Sequence, residues 1–416
     1  MNAGQWNKQI YHVDKTCIVK TFLKIPHRVQ LITAPQGFLK TSNLRLLAAF
    51  FDITSDPKAD INRIRLFENT RIMSRTFIVQ EFLGKFPTIF LSFKHDETYN
   101  QPKMKEILQQ LYQQNEFLLS SFRLDRNDKK KFCAYLNYQA GVPMYKEAKF
   151  TEAIPVLCDL LHKHYEKKVY VFIDNYDTPI LDALSNNRPM YNYLPFLETM
   201  LSRISSCKSL NRLVMSGTTS ISRFETIKVT EFKFLTTNKY TKYFGFTERD
   251  LQEMAVRCSA EVMEDLKKGC YYTASKTKIY SPEWVLSRLN YSPIENPYWH
   301  ENVMKKQIYY LPVMKTKIRL LLLGDHIKFV TKKYRTTKDL WLINKLMNAT
   351  PDDELEESEI NLIFSVFAEF GLFTFAPHRR PTAHISLPCT NNEPKNKLLL
   401  NETSRGSRVL KALFSS

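Results

Sequence analysis

The chain has 416 residues, of which 44% are hydrophobic and 25% charged, a globular composition with enough material for two or three domains. The seven cysteines are odd in number and form no Cys-x-x-Cys pair, which argues against a zinc site or a disulfide framework and favours a reducing compartment. The net charge of +18 favours polyanionic partners such as nucleic acid, nucleotides or an anionic membrane surface, although a lysine-rich solvated surface gives the same charge.

Neither a signal peptide nor a membrane span is predicted. Residues 1–8 lack the apolar segment of a signal peptide. The longest apolar run surrounds residues 320–323 and is far shorter than the ~18 residues that a spanning helix needs. We therefore expect an intracellular protein, cytoplasmic or nuclear.

The first predicted strand, residues 29–32, leads into a loop with Pro35 and Gly37, then Lys40-Thr41 and a helix. This order is typical of a phosphate-binding loop, whose backbone N–H groups face the phosphates. Lys40 would then reach the β- and γ-phosphates of ATP, and Thr41 would ligate Mg²⁺. An ordinary strand–turn–helix corner remains the alternative. The predicted nucleotide-binding residues are Gly37, Phe38, Leu39, Lys40, Thr41 and Ser42.

The loop departs from the usual Gly-x-x-x-x-Gly-Lys-[Ser/Thr] pattern at both glycines. Ala34 stands at the first glycine position and Leu39 at the second. Glycine before the lysine allows backbone dihedrals that a branched side chain disfavours. We expect Leu39 to narrow or reshape the loop, with Gly37 supplying part of the lost freedom.

Alternating elements follow along the chain. Residues 52–65 are predicted to be polar and irregular, and residues 125–131 to form a charged loop. Apolar runs predict a second strand over 87–93 and a third over 169–174, with helical spacing between them.

The third strand ends in Asp174, where a carboxylate would hold Mg²⁺ directly or through water. The next residue, Asn175, cannot act as a base at neutral pH, because an amide does not take up a proton. A strand that simply ends at a turn-forming Asp-Asn pair is the alternative.

A fourth strand, residues 212–217, leads to Thr218, Thr219 and Arg223. Polar residues at this strand end are where a γ-phosphate sensor belongs, although a Ser/Thr-rich loop is the alternative. The candidate catalytic residues are therefore Asp174, Asn175, Thr218 and Arg223. Strands that alternate with helices predict an α/β fold, a mostly parallel sheet flanked by helices.

Several motifs resemble the AAA-ATPase-like family of P-loop NTPases. They are the segments 13–16, 31–41, 173–179 and 243–248, and segments 66–68 and 82–91 are similar to the eukaryotic, insect-type branch. The resemblance implies a P-loop NTPase fold, with the phosphate-loop role on Lys40 and Thr41 and the Mg²⁺ role on Asp174.

The chain differs from that family where the chemistry is centred. The family reads Arg-Arg-Phe-Gly-Lys-Ser in the loop and Ile-Asp-Glu-Tyr-Asp at the third strand, where this chain has Leu39 and Asn175. The PD-(D/E)XK nuclease-like domain of many bacterial members is not expected here. The prediction is an NTPase-like protein that binds ATP and Mg²⁺ with weak or lost hydrolysis. The alternative is a non-catalytic pseudo-ATPase that acts as an interaction or nucleic-acid-binding module.

The predicted domains are an NTPase domain over 1–246, a mainly helical domain over 247–390 and a flexible tail over 391–416. A helix is expected over 247–266. Residues 304–337 are rich in lysine and arginine with interleaved aromatics, typical of either a nucleic-acid face or a solvated helix surface. The basic residues are Lys315, Lys317, Arg319, Lys328, Lys332, Lys333 and Arg335.

Overall fold

The computed structural model describes residues 13–54, 57–93, 101–137, 149–185, 194–221, 227–234, 239–254, 259–273, 277–289, 311–322, 327–330, 337–347, 354–371, 373–375 and 395–400. The strands are β1 Val29–Thr33, β2 Thr88–Ser92, β3 Val169–Asp174, β4 Leu210–Gly217, β5 Thr230–Lys233, β6 Cys270–Tyr272, β7 Lys278–Tyr280, β8 Ile327–Val330, β9 Phe373–Phe375 and β10 Lys395–Leu400. The helices are α1 Ile18–Lys24, α2 Lys40–Phe51, α3 Pro57–Phe67, α4 Thr76–Phe82, α5 Gln101–Gln114, α6 Arg126–Leu136, α7 Ala153–Tyr165, α8 Thr178–Ser185, α9 Leu194–Ser206, α10 Thr241–Phe244, α11 Glu248–Met254, α12 Ala260–Lys267, α13 Pro282–Arg288, α14 Pro312–Leu322, α15 Thr337–Met347 and α16 Glu357–Glu369.

The central element is a five-stranded sheet with the order β2-β3-β4-β1-β5, and every pairing in it is parallel. Every residue of β1 and β3 is buried, as expected for strands covered by helices on both faces. Because all five strands run the same way, the loops after β1, β3 and β4 meet at one edge. The predicted α/β fold, a mostly parallel sheet flanked by helices with a mainly helical C-terminal region, is confirmed.

Some local predictions were wrong. Most of the segment 52–65, expected to be irregular, belongs to the helix α3, and most of the expected charged loop 125–131 forms the start of α6. The Asp125 side chain accepts from the N–H of Asp128, and the Asp128 carboxylate accepts from the N–H of Asp125. This reciprocal cap satisfies N–H groups that a helix start leaves without intrahelical partners, so the charges begin a helix. The expected helix over 247–266 is two helices, α11 and α12.

The C-terminal region contains short strands as well as helices. The strands β6 and β7 form an antiparallel pair, and β8, β10 and β9 form a three-stranded antiparallel sheet. Lys395–Leu400, which lies within the tail predicted over 391–416, is the central strand of that sheet, and the flexibility of the tail stays a prediction. Its apolar end, residues 398–400, suits strand pairing. Residues 391–394 and 401–416 lie outside the described residues.

The basic stretch predicted over 304–337 divides between two elements. α14 carries Lys315, Lys317 and Arg319, whereas Lys328 lies in β8. Lys315 and Arg319 are exposed. Lys332, Lys333 and Arg335 lie outside the described residues.

Two clusters of buried apolar side chains hold the described residues together. The larger cluster extends from the sheet and its helices into β6, β7, α14, α15 and α16. The smaller one joins Val13, near the start of the described chain, to residues after the sheet. Its members are Val13, Phe246, Leu251, Leu266, Tyr280, Trp284, Val285 and Leu286. Across the residues described, no helix is both long enough and apolar enough to cross a membrane.

Candidate functional site

The loop between β1 and α2 keeps a strongly curved backbone although it lacks the usual glycine before Lys40. Gly37 has φ 79° and Leu39 has φ 40° and ψ 23°, so both lie in the left-handed region. A leucine held there carries a strain of about 1–2 kcal/mol. The half-buried side chain of Leu39 packs against the smaller apolar cluster. This packing offsets the strain, so Leu39 adopts the conformation that glycine would take more easily.

Lys40 begins α2, and its ammonium group turns back into the loop. Lys40 Nζ donates to the carbonyl oxygens of Ala34 and Pro35, each at 2.8 Å. Burial lowers the Lys40 pKa from 10.5 to about 8, while the carboxylates of Asp177, Asp174 and Glu283 oppose that shift. The ammonium thus lies in a largely desolvated site with acidic groups around it.

Asp174, at the end of β3, is fully buried among hydroxyl groups. Thr41 Oγ1 donates to Asp174 Oδ2 at 2.6 Å, and Ser216 Oγ of β4 donates to Asp174 Oδ1 at 2.6 Å. Ser92 Oγ of β2 lies 3.3 Å from Asp174 Oδ2. The structure therefore brings Thr41 and Asp174, 133 positions apart, into direct contact at one edge of the sheet.

These oxygen atoms fit a hard divalent cation. Mg²⁺ prefers oxygen ligands and is bound in nucleotide sites by one or two protein groups together with waters and phosphate oxygens. Thr41 Oγ1 and the Asp174 carboxylate supply a hydroxyl and an anionic oxygen side by side, and the charge of Asp174 acts on the neighbouring Lys40. Within the described residues no group of three or more His, Cys, Asp or Glu side chains forms a metal site. A cation held here would therefore complete its coordination with water or ligand oxygens.

Asn175 follows Asp174 in the left-handed conformation, with φ 53°. Asparagine tolerates this conformation better than most residues. Its Nδ2 lies 3.4 Å from Asp174 Oδ2 and is oriented to donate to it. The side chain thus supports the Asp174 carboxylate, and its amide offers no base for activating water.

Asp177 positions the loop after β4, a role that the sequence did not suggest. Its Oδ2 accepts from the backbone N–H of Thr218 at 2.7 Å and from that of Thr219 at 2.8 Å. Asp177 Oδ1 is buried without a hydrogen-bond partner among the described residues. Burial raises the Asp177 pKa to about 6, against the opposing effect of these N–H groups and of Lys40. Since both oxygens are enclosed, Asp177 holds the loop and does not contact solvent.

Gly217 makes this arrangement possible at the end of β4. A Cβ placed on Gly217 would lie 2.6 Å from the Tyr176 ring and 2.7 Å from Asp177 Oδ1. Any larger side chain would therefore push the Tyr176–Asp177 turn away from β4. The Tyr176 hydroxyl donates to the carbonyl of Thr219 at 2.9 Å and accepts from the N–H of Ile221 at 2.8 Å. The glycine is visible in the sequence, but its role depends on this packing.

The predicted sensor residues have different surroundings. Thr218 is buried beside Asp177, whereas the Thr219 hydroxyl donates to the Glu369 carboxylate at the end of α16. Arg223 lies outside the described residues. In the phosphate loop, Phe38 is buried with ring centroids 4.6 Å from Phe234 and 5.0 Å from Tyr271, and Ser42 is half-buried.

C-terminal residues cover the loop between β1 and α2. A Cβ on Gly37 would overlap the carboxylate of Glu283 on α13 and lie 2.7 Å from the Glu283 Cβ. A Cβ on Gly371, just after α16, would lie 2.9 Å from the Pro35 Cβ. The Tyr271 hydroxyl of β6 donates to the carbonyl of Gly371 at 3.0 Å. No local sequence pattern indicates that these distant residues meet at the loop.

Lys15, in the motif at residues 13–16, fastens the start of the described chain to the segment after the sheet. Its buried Nζ donates to Asp250 Oδ2 at 2.6 Å and to the carbonyl oxygens of Lys242 at 2.8 Å and Gly245 at 3.0 Å. Asn43 of α2 reaches the same segment by donating to the carbonyl of Tyr243 at 3.0 Å. The motif therefore has a structural role, because Lys15 holds the start of the described chain against residues 242–250, where Asn43 also holds α2.

A comparison with protein families supports the resemblance that these motifs suggest. The family model described as "Predicted AAA-ATPase" matches residues 6–229, which is more than half of the chain and includes β1 to β4 with Lys40, Thr41 and Asp174. No curated protein matches the chain. Because the family model matches more than half of the chain, the chain belongs to the AAA-ATPase-like family.

Proposed function

We propose that this chain binds ATP together with Mg²⁺ at the edge of the sheet formed by the ends of β1, β3 and β4. The contact of 2.6 Å between Thr41 Oγ1 and Asp174 Oδ2, beside the buried Lys40, carries this proposal. A hydroxyl, a carboxylate and a lysine ammonium are the groups that a P-loop site uses for Mg²⁺ and phosphate. Membership of a family described as ATPases supports ATP as the nucleotide.

Each residue would have a separate task in that site. Lys40 would turn from the carbonyls of Ala34 and Pro35 towards the β- and γ-phosphates, where its charge is better balanced. Thr41 and Asp174 would hold Mg²⁺, which when bound neutralises phosphate charge. Asp177 would keep the backbone of Thr218 and Thr219 in place at the end of β4.

Hydrolysis is proposed to be slow or lost. The residue after Asp174 is an asparagine, which cannot take a proton from the attacking water. Asp177 does not replace that base, because its free oxygen is buried away from solvent. Any turnover would rely on positioning and on the charge of Lys40 and Mg²⁺.

The test is a titration of the full chain with Mg²⁺–ATP, followed by calorimetry and by the shift in melting temperature. We expect saturable binding and a melting temperature that rises with ligand excess over Kd. Lys40→Met removes the charge but retains much of the side-chain volume and should abolish binding. Lys315→Met, an exposed substitution of the same type on α14, is the matched control and should leave binding unchanged.

Two results would contradict the proposal. The first is no binding up to millimolar ATP by a chain that melts cooperatively. The second is equal binding by the parent protein and Lys40→Met, which would place the nucleotide elsewhere.

For hydrolysis, phosphate release at the rate of an active ATPase would contradict the proposed loss of the base. Asn175→Glu, combined with Leu39→Gly, then asks whether these two positions limit turnover.

The alternative function is a non-catalytic interaction module. It is favoured by the loop itself, since the Lys40 ammonium already has two carbonyl partners and C-terminal residues cover the loop. The exposed Lys315 and Arg319 of α14 suggest nucleic acid as one partner. Binding of single-stranded RNA or DNA that weakens steeply with salt, together with no response to ATP, would support this alternative.

We also infer that the protein acts inside the cell. Five cysteines among the described residues are free thiols, which fits a reducing compartment. The proposed ligands, ATP and Mg²⁺, fit the same location.

A further inference from the structure

The strongest unexplained feature near the site is the acidic side chain of Glu283. It belongs to α13, far outside the segment that the family model matches. Its side chain lies across Gly37, so closely that even a methyl group on that glycine would collide with the carboxylate and the Cβ. Gly37 occupies the curved part of the loop, with φ 79°. A carboxylate therefore rests on the part of the chain whose backbone should face phosphate.

The charge of Glu283 also reaches the lysine of the loop. Asp177, Asp174 and Glu283, in that order, are the acidic groups that raise the Lys40 pKa against the effect of burial. Asp174 and Asp177 belong to the sheet edge itself, whereas Glu283 is contributed by a distant element. In this structure Glu283 thus supplies part of the negative charge that a bound polyphosphate would supply.

Glu283 is one of several C-terminal residues that cover the loop between β1 and α2, and this cover also includes Trp284 of α13 and Tyr271 of β6. α13 is capped by Ser281, whose Oγ accepts from the N–H of Trp284 at 3.3 Å, and Trp284 belongs to the smaller apolar cluster. Leu39 packs on that same cluster from the side of the phosphate loop. Tyr271 of β6 holds Phe38 edge-to-face. The cover therefore touches the loop at three consecutive residues, 37, 38 and 39.

We propose that Glu283 is an autoinhibitory residue: its carboxylate lies against the phosphate loop and must move away before a nucleoside triphosphate binds. This proposal rests on the proposed ATP-binding function. Two effects act together, because Glu283 fills space beside Gly37 and repels the phosphate charge. A rotation about the bonds of the side chain would move the carboxylate away from Gly37, while the Glu283 Cβ stays in place on α13.

Glu283→Gln removes the charge and keeps the shape, whereas Glu283→Ala removes both. The control is Glu261→Gln on α12, which removes one exposed acidic charge from the neighbouring helix. The probes are Mg²⁺–ATP and inorganic tripolyphosphate, which presents phosphates without a nucleoside. We expect Glu283→Gln to bind both probes at least about tenfold more tightly than the parent chain, because a nearby like charge has been removed. Glu283→Ala should gain more, and Glu261→Gln should match the parent.

A second measurement is independent of any ligand. In hydrogen–deuterium exchange without nucleotide, Glu283→Ala should increase exchange at the loop residues 36–39 and leave β3 protected. Unchanged loop exchange would contradict the covering role. Loss of protection in β3 would indicate a destabilised fold, in which case the comparison of Glu283→Gln with the parent decides the question.

The outcomes separate this inference from the proposed function. ATP binding that depends on Lys40 but is equal or weaker in Glu283→Gln overturns the inhibitory role and leaves ATP binding intact. Unchanged affinity with slower turnover would make Glu283 a catalytic residue and also overturns the inhibition. No binding by the parent chain but Lys40-dependent binding by Glu283→Gln supports the inhibitory role and contradicts ATP binding by the parent chain. No binding by any variant overturns both.

Discussion

At the scale of single residues, the site depends on side chains in unusual surroundings. Leu39 occupies a left-handed position that costs about 1–2 kcal/mol for a residue with a Cβ. The side chain recovers part of that energy through its contact with the smaller apolar cluster. Leu39 therefore keeps a backbone conformation typical of glycine, and its side chain joins the loop between β1 and α2 to C-terminal residues.

This balance predicts an unusual order of stability at position 39. We expect Leu39→Gly to be more stable than Leu39→Ala by about 1 kcal/mol, since glycine relieves the strain and alanine does not. Both lose the leucine contact, so Leu39→Ala should cost about 1–2 kcal/mol relative to the parent chain. Urea unfolding of the three proteins gives the values.

Leu46 is the matched control, because it is half-buried in the right-handed interior of α2, the helix that follows Leu39. There the order should reverse, with Leu46→Ala more stable than Leu46→Gly by about 1 kcal/mol. If glycine is the worse substitution at both positions, the left-handed strain at Leu39 is absent in solution.

The lowered pKa of Lys40 predicts how binding of Mg²⁺–ATP depends on pH. The free protein loses the Lys40 proton as the pH rises through about 8, whereas bound phosphate would keep the ammonium charged. The Kd should therefore be nearly constant below pH 8 and rise by up to about tenfold per unit above it. Calorimetry between about pH 7 and pH 9.5 measures the Kd across the lysine transition.

Lys40→Arg is the control, because a guanidinium keeps its charge throughout this range. If arginine supports binding, its Kd should stay flat, and a parent Kd that is equally flat would contradict the low pKa. Loss of stability at high pH does not explain the rise in Kd. A lysine whose folded pKa lies below its unfolded value binds fewer protons when folded, so its contribution to stability grows from about pH 8 to 10.5.

The sequence could predict part of the site for a physical reason. Asp174 ends β3, and Lys40 and Thr41 begin the helix that follows β1. Parallel strands bring their ends and the loops after them to one edge, so the positions of these residues follow from the order of the elements. Asp177 and Gly217 need the packing of one turn on another strand, which spacing does not encode. Glu283 meets Gly37 through tertiary contacts across 246 positions (283 minus 37), which no local pattern records.

At the scale of elements, one buried ion pair joins the first described residues to α11. Lys15 and Asp250 are both largely buried, and the lysine also bonds the carbonyls that end α10. Removing one partner of a buried pair leaves an uncompensated charge, which typically costs about 3–5 kcal/mol. The Lys15–Asp250 pair should therefore contribute much more to the free energy of unfolding than the solvent-exposed ion pairs of the same region.

A double-mutant cycle tests this. We expect Lys15→Met to destabilise the protein by about 3–5 kcal/mol, and Lys15→Met with Asp250→Asn to cost clearly less than the sum of the single changes. The control is the exposed pair Arg249–Glu253 on α11, where Arg249→Ala should cost less than about 0.5 kcal/mol. Additive costs at Lys15 and Asp250 would mean that the two charges do not interact in solution.

The elements differ in how clearly the sequence shows them. The strands β1 and β3 are buried throughout, and β2 and β4 are largely apolar, so hydrophobicity alone locates these four strands within about two residues. The edge strand β5 is short and contains Glu231 and Lys233, which gives no apolar run to detect. In α6 the charges conceal a helix whose start depends on the pairing of Asp125 with the Asp128 backbone.

At the scale of the whole molecule, the sheet and the C-terminal elements share one apolar core. The larger cluster contains residues of β1, β3 and β4 together with Phe364 and its neighbours on α16. Glu369 at the end of that helix bonds the loop after β4, and Gly371 lies against Pro35. The division at residue 246, predicted from sequence motifs, places a boundary within a structure whose two sides contact each other at the site.

A substitution in α16 decides whether that boundary separates two independently folding domains. Phe364 is fully buried in the shared core, so Phe364→Ala should cost about 3–5 kcal/mol. If the core unfolds as one unit, native-state hydrogen exchange should show the same loss of protection in β1, β3 and β4 as in α16. If residues 247–390 form a separate domain, the strands should keep their protection while α16 loses it.

Phe122→Ala is the control, because that ring is 90% exposed and its removal should leave exchange unchanged throughout. Because Phe364 does not belong to the loop between β1 and α2, weaker ATP binding by its alanine variant would further indicate that the proposed nucleotide site depends on the C-terminal core.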